Sequence, residues 1–169
     1  MIFNEQPKSQ PISKLQVQEA FKRVKANKGA SGVDGVTIEA VTKNTRKYLY
    51  PMWNRMASGS YYPKAVRQVL IPKGDGKMRP LGIPTIVDRV AQQVIATELE
   101  QIVEEHFHPS SFGYRPNKSA HDAIEQCRIN SMKYSWVIDL DIKGFFDNID
   151  HDLLLKAVQF YTQEKHILM

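Results

Sequence analysis

The sequence predicts an α+β fold, rich in helix, with one β-hairpin and one further strand that carries acids. Three observations predict it. Apolar residues recur at helical spacing in several separate runs. A Gly-Asp-Gly turn joins two short strand-like runs. The segment WVIDLDIKGFFDNIDH, Trp136 to His151, alternates apolar and acidic residues before two phenylalanines.

The elements follow in order. Leu15, Ala20, Phe21 and Val24 space as one face of a short helix, with Lys22, Arg23 and Lys25 turned outward. NKGASGVDGVT, Asn27 to Thr37, then has three glycines that forbid regular structure and allow positive φ. With Lys25 and Lys28 beside it, such a loop can lay backbone N–H groups against phosphate; a plain turn is the structural alternative. Ile38 to Met56 reads as helix with a break near Pro51. Val66–Ile71 and Lys77–Leu81 flank Gly74-Asp75-Gly76 as a β-hairpin. Lys73, Lys77 and Arg79 cluster at its tip, which suits a finger reaching over an anionic ligand better than it suits burial.

Thr85 caps the next helix, with Asp88 in the capping-box position. Its broad apolar face, from Ile86 and Val90 through Val94 to Leu99 and Val103, reads as core. Phe112 to Ile124 is an irregular link carrying Arg115 and Lys118, and it leads into a helix capped by Ser119 with Asp122 three places on. Leu153 to Phe160 opens a last helix. It meets no Gly or Pro before Met169, so the chain is expected to end before its fold does.

Bulk properties bound the function. The chain of 169 residues, 42% apolar and 24% charged, suits a soluble globular domain or a lobe and a half of something larger. No run approaches the roughly 18 apolar residues of a membrane span, and no secretory signal opens the chain. The lone Cys127 excludes an internal disulfide and a cysteine zinc site, so a cytoplasmic setting is expected. The net charge of +5 is unevenly shared. Residues 1–80 hold 15 Lys/Arg against 5 Asp/Glu, and the remainder 8 against 13. A basic half suggests a nucleic-acid backbone as partner, with a solvated basic surface as the alternative.

The acids of the last segment are the sharpest feature. In a strand, Trp136, Ile138, Leu140 and Ile142 share one face, fit for a core, while Val137, Asp139 and Asp141 share the other. Two carboxylates about 6.6 Å apart on one face are costly unless solvated or bound to cations. Hard oxygens of this kind suit Mg²⁺; an exposed edge strand with solvated acids is the bland alternative. Gly144 allows close approach, Phe145 and Phe146 add rigid aromatic surface, and Asp147, Asp150 and Asp152 open a helix in capping roles. Acid strand, glycine, aromatic pair and helix together describe a phosphoryl-transfer site that uses two metal ions.

Four ordered blocks carry a resemblance. NKGASGVDGVT, LIPKGDGKMRPLGIPTIVDRVAQQ, SSFGYRPNKSAHDAI and DLDIKGFFDNIDH resemble, in turn, the N-terminal, the two fingers and the first palm blocks of group II intron reverse transcriptases of the maturase type. The similarity covers roughly residues 15–160. It implies a right-hand polymerase fold cut short: residues 1–62 as N-terminal extension and start of the fingers, 63–135 as fingers leading into the palm, and 136–169 as an incomplete first palm segment with part of the palm sheet. It implies an RNA-directed DNA polymerase in which Asp141 is the catalytic, metal-binding aspartate. The Ile142 carbonyl is a further ligand and Asp139 an auxiliary one. Lys73 or Lys77, with Arg79, would hold the incoming triphosphate. Phe146, beside Phe145, would stand under the sugar and disfavour a 2′-hydroxyl. Lys25, Lys28, Gly29, Gly32, Arg67, Arg115 and Lys118 would contact template or primer.

One departure from the family pattern matters. The second acidic pair, usually Tyr-Ala-Asp-Asp, is not in these 169 residues. The expectation is therefore a portion inactive by itself, with weak or no Mg²⁺ binding, that partners RNA, primer DNA and dNTP only in the complete enzyme. Pairing with a missing C-terminal part or with a second copy follows as a possibility. A catalytically inert RNA-binding module and a piece of a retron-type or CRISPR-associated reverse transcriptase are the alternatives.

Overall fold

Helices form where a capping side chain precedes an apolar stripe, and the computed structural model shows this at nearly every start. It describes residues 10–72, 74 and 76–168, so Lys73 and Asp75 of the predicted hairpin tip lie outside the described residues. The chain divides into two units, residues 1–99 with 164–169, and residues 100–163.

In the first unit, α1 (Lys14–Ala26) starts at Ser13, whose hydroxyl accepts from the Gln16 amide at 3.2 Å while Gln16 returns a bond to the Ser13 amide. Its buried face is Val17, Ala20, Phe21 and Val24, spaced i, i+3, i+4, i+7. Leu15 falls off that stripe and is exposed, against the sequence expectation. α2 (Ile38–Lys43) and α3 (Thr45–Ala57) are separate helices, but the break lies at Asn44 and not at Pro51. Asn44 leaves helical geometry (φ −144°, ψ 67°) and its side chain caps α3 through the Lys47 amide at 3.1 Å. Pro51 stays within α3 because the neighbouring Leu49, Met52 and Trp53 are buried and hold the helix in place. The Trp53 indole N–H donates to the Ile12 carbonyl at 2.8 Å, which ties the segment before α1 to α3.

The hairpin pairs β1 (Arg67–Pro72) with β2 (Met78–Ile83) in antiparallel register, Arg67 opposite Ile83 and Ile71 opposite Arg79. Almost all of its side chains are exposed, so it stands off the core as the charge at its tip predicted. α4 (Ile86–Val103) follows, and its Ile86, Val90, Ala91 and Val94 complete the apolar core of α1, α2 and α3. α7 (Lys165–Leu168) belongs to the same unit through buried His166, whose Nε2 meets a Glu98 carboxylate oxygen; Gln16 donates to the other oxygen.

The loop after α1 is fixed from below. Lys28 takes a left-handed conformation (φ 56°) just past the end of α1, and Gly29 follows at φ 114°. Gly32 is buried with its Cα against backbone: a Cβ there would lie 2.6 Å from Thr85 N and Cα and 2.8 Å from Pro84 C. Neither neighbour is a flexible side chain that could yield. Gly32→Ala is therefore expected to destabilise the first unit by about 1–3 kcal/mol, the usual cost of overpacking, read as a lower urea midpoint. An unchanged midpoint would mean that the loop can lift off Pro84–Thr85 freely.

The second unit contains α5 (Ala120–Ser131) and α6 (His151–Tyr161), neither with a buried residue. Ser119 and Asp122 form the expected capping box, and these hydrogen bonds, from the Ser119 hydroxyl foremost, hold the Asp122 carboxyl below its ordinary value. Two expectations fail in this unit. Residues 136–142 form no strand, so no palm sheet accompanies β1 and β2 among the described residues. The supposed core face is exposed throughout: Trp136 is 89% accessible, Ile138 82%, Leu140 87% and Ile142 70%. A strand is defined by its pairing, and alternation alone supplies neither a neighbour to accept its hydrogen bonds nor a surface to cover its apolar side. The last helix also stops early. α6 ends at Tyr161, where Thr162 is extended (φ −148°, ψ 146°), and α7 is a separate turn of helix.

Candidate functional site

The acidic segment reaches its helix through a tight turn. Gly144 takes φ 62°, a conformation that suits glycine, and its carbonyl accepts from the Asn148 side chain at 2.7 Å. The close approach predicted at Gly144 is thus made by the chain's own Asn148: a Cβ there would lie 3.0 Å from its Nδ2. A short 3₁₀ turn, Phe146–Asn148, follows, and the Phe145 and Phe146 rings meet edge to face at 5.4 Å and 64°. Asp150 then caps α6, accepting from the amides of Asp152 at 2.9 Å and Leu153 at 3.0 Å. These contacts orient the exit of the segment. Asp139 and Asp141 precede it, both exposed.

Hard carboxylate oxygens are the right chemistry for Mg²⁺, but a closed octahedral holder needs more of them. Among the described residues no group of three or more His, Cys, Asp or Glu side chains could hold a metal ion. Asp139, Asp141 and the Ile142 carbonyl fit a share of such a site and not the whole of it.

The basic candidates divide between the units. Arg67, Lys77 and Arg79 belong to the exposed hairpin of the first unit. Lys25, Lys28, Gly29 and Gly32 lie at or just after the end of α1, on a loop that other residues hold down. Arg89, which the sequence reading passed over, reaches from α4 to donate to the Ala30 carbonyl and, through Nε and Nη2, to the Pro84 carbonyl at 3.2 Å. Asp34 accepts from the Val36 amide at 3.1 Å and pairs with Lys64 at 3.4 Å. The glycine-rich loop is thereby set on the start of α4.

In the second unit Arg115 and Lys118 are spent on the chain itself. Arg115 pairs with Glu104 at 2.8 Å and donates to the carbonyls of His108 at 2.8 Å and Ser111 at 2.9 Å; its side chain is only 11% exposed. Lys118 donates to the Pro109 carbonyl at 3.2 Å and lies over the Phe112 ring. Both shape the irregular link between residues 104 and 118. An arginine followed by turn residues gives no sign in sequence that its partner is eleven residues upstream.

A further polar centre was half visible. Thr85 and buried Asp88 form the expected cap, with Thr85 Oγ1 donating to Asp88 Oδ2 at 2.6 Å and the Asp88 amide donating to Thr85 Oγ1 at 3.1 Å. The Tyr61 hydroxyl and the Lys64 amide also donate to Asp88, which joins the approach to the hairpin to α4. Burial first, and the Asp88 carboxylate second, push the Tyr61 hydroxyl well above its ordinary pKa. Among the described residues, no helix is long and apolar enough to cross a membrane.

Comparison with known proteins adds a family to this geometry. Residues 71–169 match the family model described as "Reverse transcriptase (RNA-dependent DNA polymerase)". Protein YkfC of Escherichia coli is 38% identical over 148 residues, 83% of this chain and 39% of that protein. The group II intron-encoded protein LtrA of Lactococcus lactis is 36% identical over 146 residues, 86% of this chain and 24% of LtrA. A putative COX1/OXI3 intron 1 protein of Saccharomyces cerevisiae is 33% identical over 86% of the chain and 17% of its own length. The chain thus spans under two fifths of each of these relatives, and the group II intron resemblance seen in its four motif blocks is matched by LtrA, which bears that name. A family match over more than half the chain, falling on β2 and on the acidic segment alike, places this protein in the reverse transcriptase (RNA-dependent DNA polymerase) family.

Proposed function

We propose that this chain is the fingers and first palm portion of a group II intron-type RNA-directed DNA polymerase, supplying the first catalytic aspartate to a nucleotidyl-transfer centre that further acids complete. The observation that carries the reading is the exposed Asp139/Asp141 pair, followed within one turn by Gly144 and the Phe145–Phe146 surface. Asp141 is this chain's principal share of the Mg²⁺ site, with the Ile142 carbonyl beside it and Asp139 in an auxiliary place. Bound there, Mg²⁺ supplies charge neutralisation to phosphate oxygens. Phe146, 85% exposed, offers a rigid face under the incoming sugar. Lys77 and Arg79, with Lys73, receive the triphosphate. Lys25, Lys28, Gly29, Gly32 and Arg67 of the first unit, and Arg115 and Lys118 of the second, serve template or primer.

The exposed apolar run from Trp136 to Ile142 supports a complementing partner, because strand pairing and apolar cover are both wanting there. Primer extension on an RNA template tests the proposal. The chain is assayed alone and mixed with a polypeptide that spans the remaining segments of a group II intron-encoded relative. DNA synthesis is expected only in the mixture. Synthesis by the chain alone, or none in a mixture shown to assemble, overturns it. RNA binding without synthesis in an assembled mixture would favour the second reading, an RNA-binding module, which the basic balance of residues 1–80 also supports.

A further inference from the structure

One side chain fixes the turn on which Phe146 stands. The Phe146 ring is 85% exposed, and it meets the half-exposed Phe145 ring edge to face. A ring so open is not held by core packing. Among the described residues 136–142 pair with no neighbouring strand, so no sheet sets the step from Asp141 to Phe146 either. That task falls to the backbone of the turn, and Asn148 closes it. The Asn148 Nδ2 donates to the Gly144 carbonyl at 2.7 Å, and its backbone amide donates to the Phe145 carbonyl at 3.2 Å. These carbonyls belong to the peptides that lead into Phe145 and into Phe146. One residue therefore holds both peptides, and with them the directions in which the two rings leave the chain.

The contact with Gly144 needs a side-chain donor. Gly144, at φ 62°, turns its carbonyl toward Asn148, and a Cβ on it would lie 3.0 Å from Nδ2. Alanine at 148 would leave that carbonyl to water. Leucine would keep roughly the outline of asparagine but has no proton to give. Neither change touches the α6 cap, which Asp150 makes with the amides of Asp152 and Leu153. We propose that Asn148 is a positioning residue for nucleotide selection, holding Phe146 where the incoming sugar is read. The inference rests on the role proposed for Phe146 and adds the residue that keeps it in place.

Single-nucleotide incorporation by the complemented polymerase tests it, with a dNTP and the matching ribonucleotide as substrates. A protein that merely folds less well loses both activities in proportion, so the ratio of the two kcat/KM values cancels the active fraction. Asn148→Ala and Asn148→Leu are each expected to lower the preference for dNTP by roughly 10- to 100-fold, the scale of an ångström-sized misplacement. Phe146→Ala should lower it at least as far, and adding Asn148→Ala to it should lower it no further. Chymotrypsin reads the turn in the full chain alone. Cleavage after Phe146 should run about 2- to 10-fold faster in Asn148→Ala, the worth of one hydrogen bond, with cleavage after Phe160 unchanged.

If Phe146→Ala relaxes discrimination while the Asn148 variants keep it, or lose both substrates in proportion, the inference falls and the proposed function stands. Additive losses in the double variant also overturn it, because Asn148 would then act on the nucleotide without Phe146. Equal cleavage after Phe146 in variant and wild type would mean that the turn holds without Asn148. A Phe146→Ala enzyme that discriminates like the wild type removes the role of Phe146 and the inference together. No synthesis by any assembled mixture removes the whole reading.

Discussion

Asp141→Asn is expected to lower DNA synthesis by the complemented polymerase by roughly 10²- to 10³-fold or more, the scale seen when one charge-stabilising group leaves an active site. The substitution keeps the shape of the side chain and removes only its negative charge, so the loss reads electrostatics and not packing. Asp141 is exposed, and its change should alter the stability of the fold by no more than about 0.5 kcal/mol. Asp139→Asn should cost far less if its proposed place is the auxiliary one. Single-turnover primer extension at saturating dNTP, with both variants, checks the pair. Equal effects from the two substitutions would mean that the carboxylates act jointly and that ranking Asp141 first is wrong. A full-rate Asp141→Asn enzyme would remove this aspartate from the chemistry.

What could be read in the sequence depended on how local its cause was. The caps at Thr85 and Ser119, the strand pairing of the hairpin and the first half of the α4 stripe each follow from residues within one or two turns of each other, and all of them form. The expected continuation of that stripe to Leu99 and Val103 is only half-buried and lies outside the core. Asn44 was missed as a break because Pro51 is the louder breaker, yet a proline is tolerated where packing holds the helix on either side. The segment 136–142 failed for the opposite reason. Its alternation is sound for a strand, but pairing is a property of two segments, and sequence showed only one of them. The candidate site divides in the same way. Asp139, Asp141 and the Gly144 turn lie within six residues, so their grouping is local, and the turn itself forms. The partners that hold the basic loops are not: Arg89 meets Ala30 from 59 residues away, and Glu104 takes Arg115 from eleven. Charge in a sequence gives the number of cations, and only the fold tells which of them are already spent.

Asp88 is where the largest stability effect is expected. Three donors from three places, the Thr85 hydroxyl, the Tyr61 hydroxyl and the Lys64 amide, end on one carboxylate that is only 4% exposed. Asp88→Ala leaves all three without that acceptor and removes a first-turn acid from α4, for a cost of about 3–5 kcal/mol, read from urea midpoints. Asp88→Asn should cost less, since the amide oxygen still accepts and the Thr85 hydroxyl can turn to accept from the amide nitrogen. The same centre carries a pH signature. Tyr61 has its pKa raised in the folded state, so its stabilisation is complete below the unfolded tyrosine value of about 10 and is lost as pH rises beyond it. Tyr61→Phe removes that titration. Between about pH 9.5 and 11 the wild type should therefore lose stability faster than the Phe variant, although the variant begins about 1 kcal/mol lower for want of its hydrogen bond. Parallel curves for the two proteins would show that the Tyr61 hydroxyl is not held on Asp88. An Asp88→Ala protein as stable as Tyr61→Phe would show that the other two donors find water at no cost.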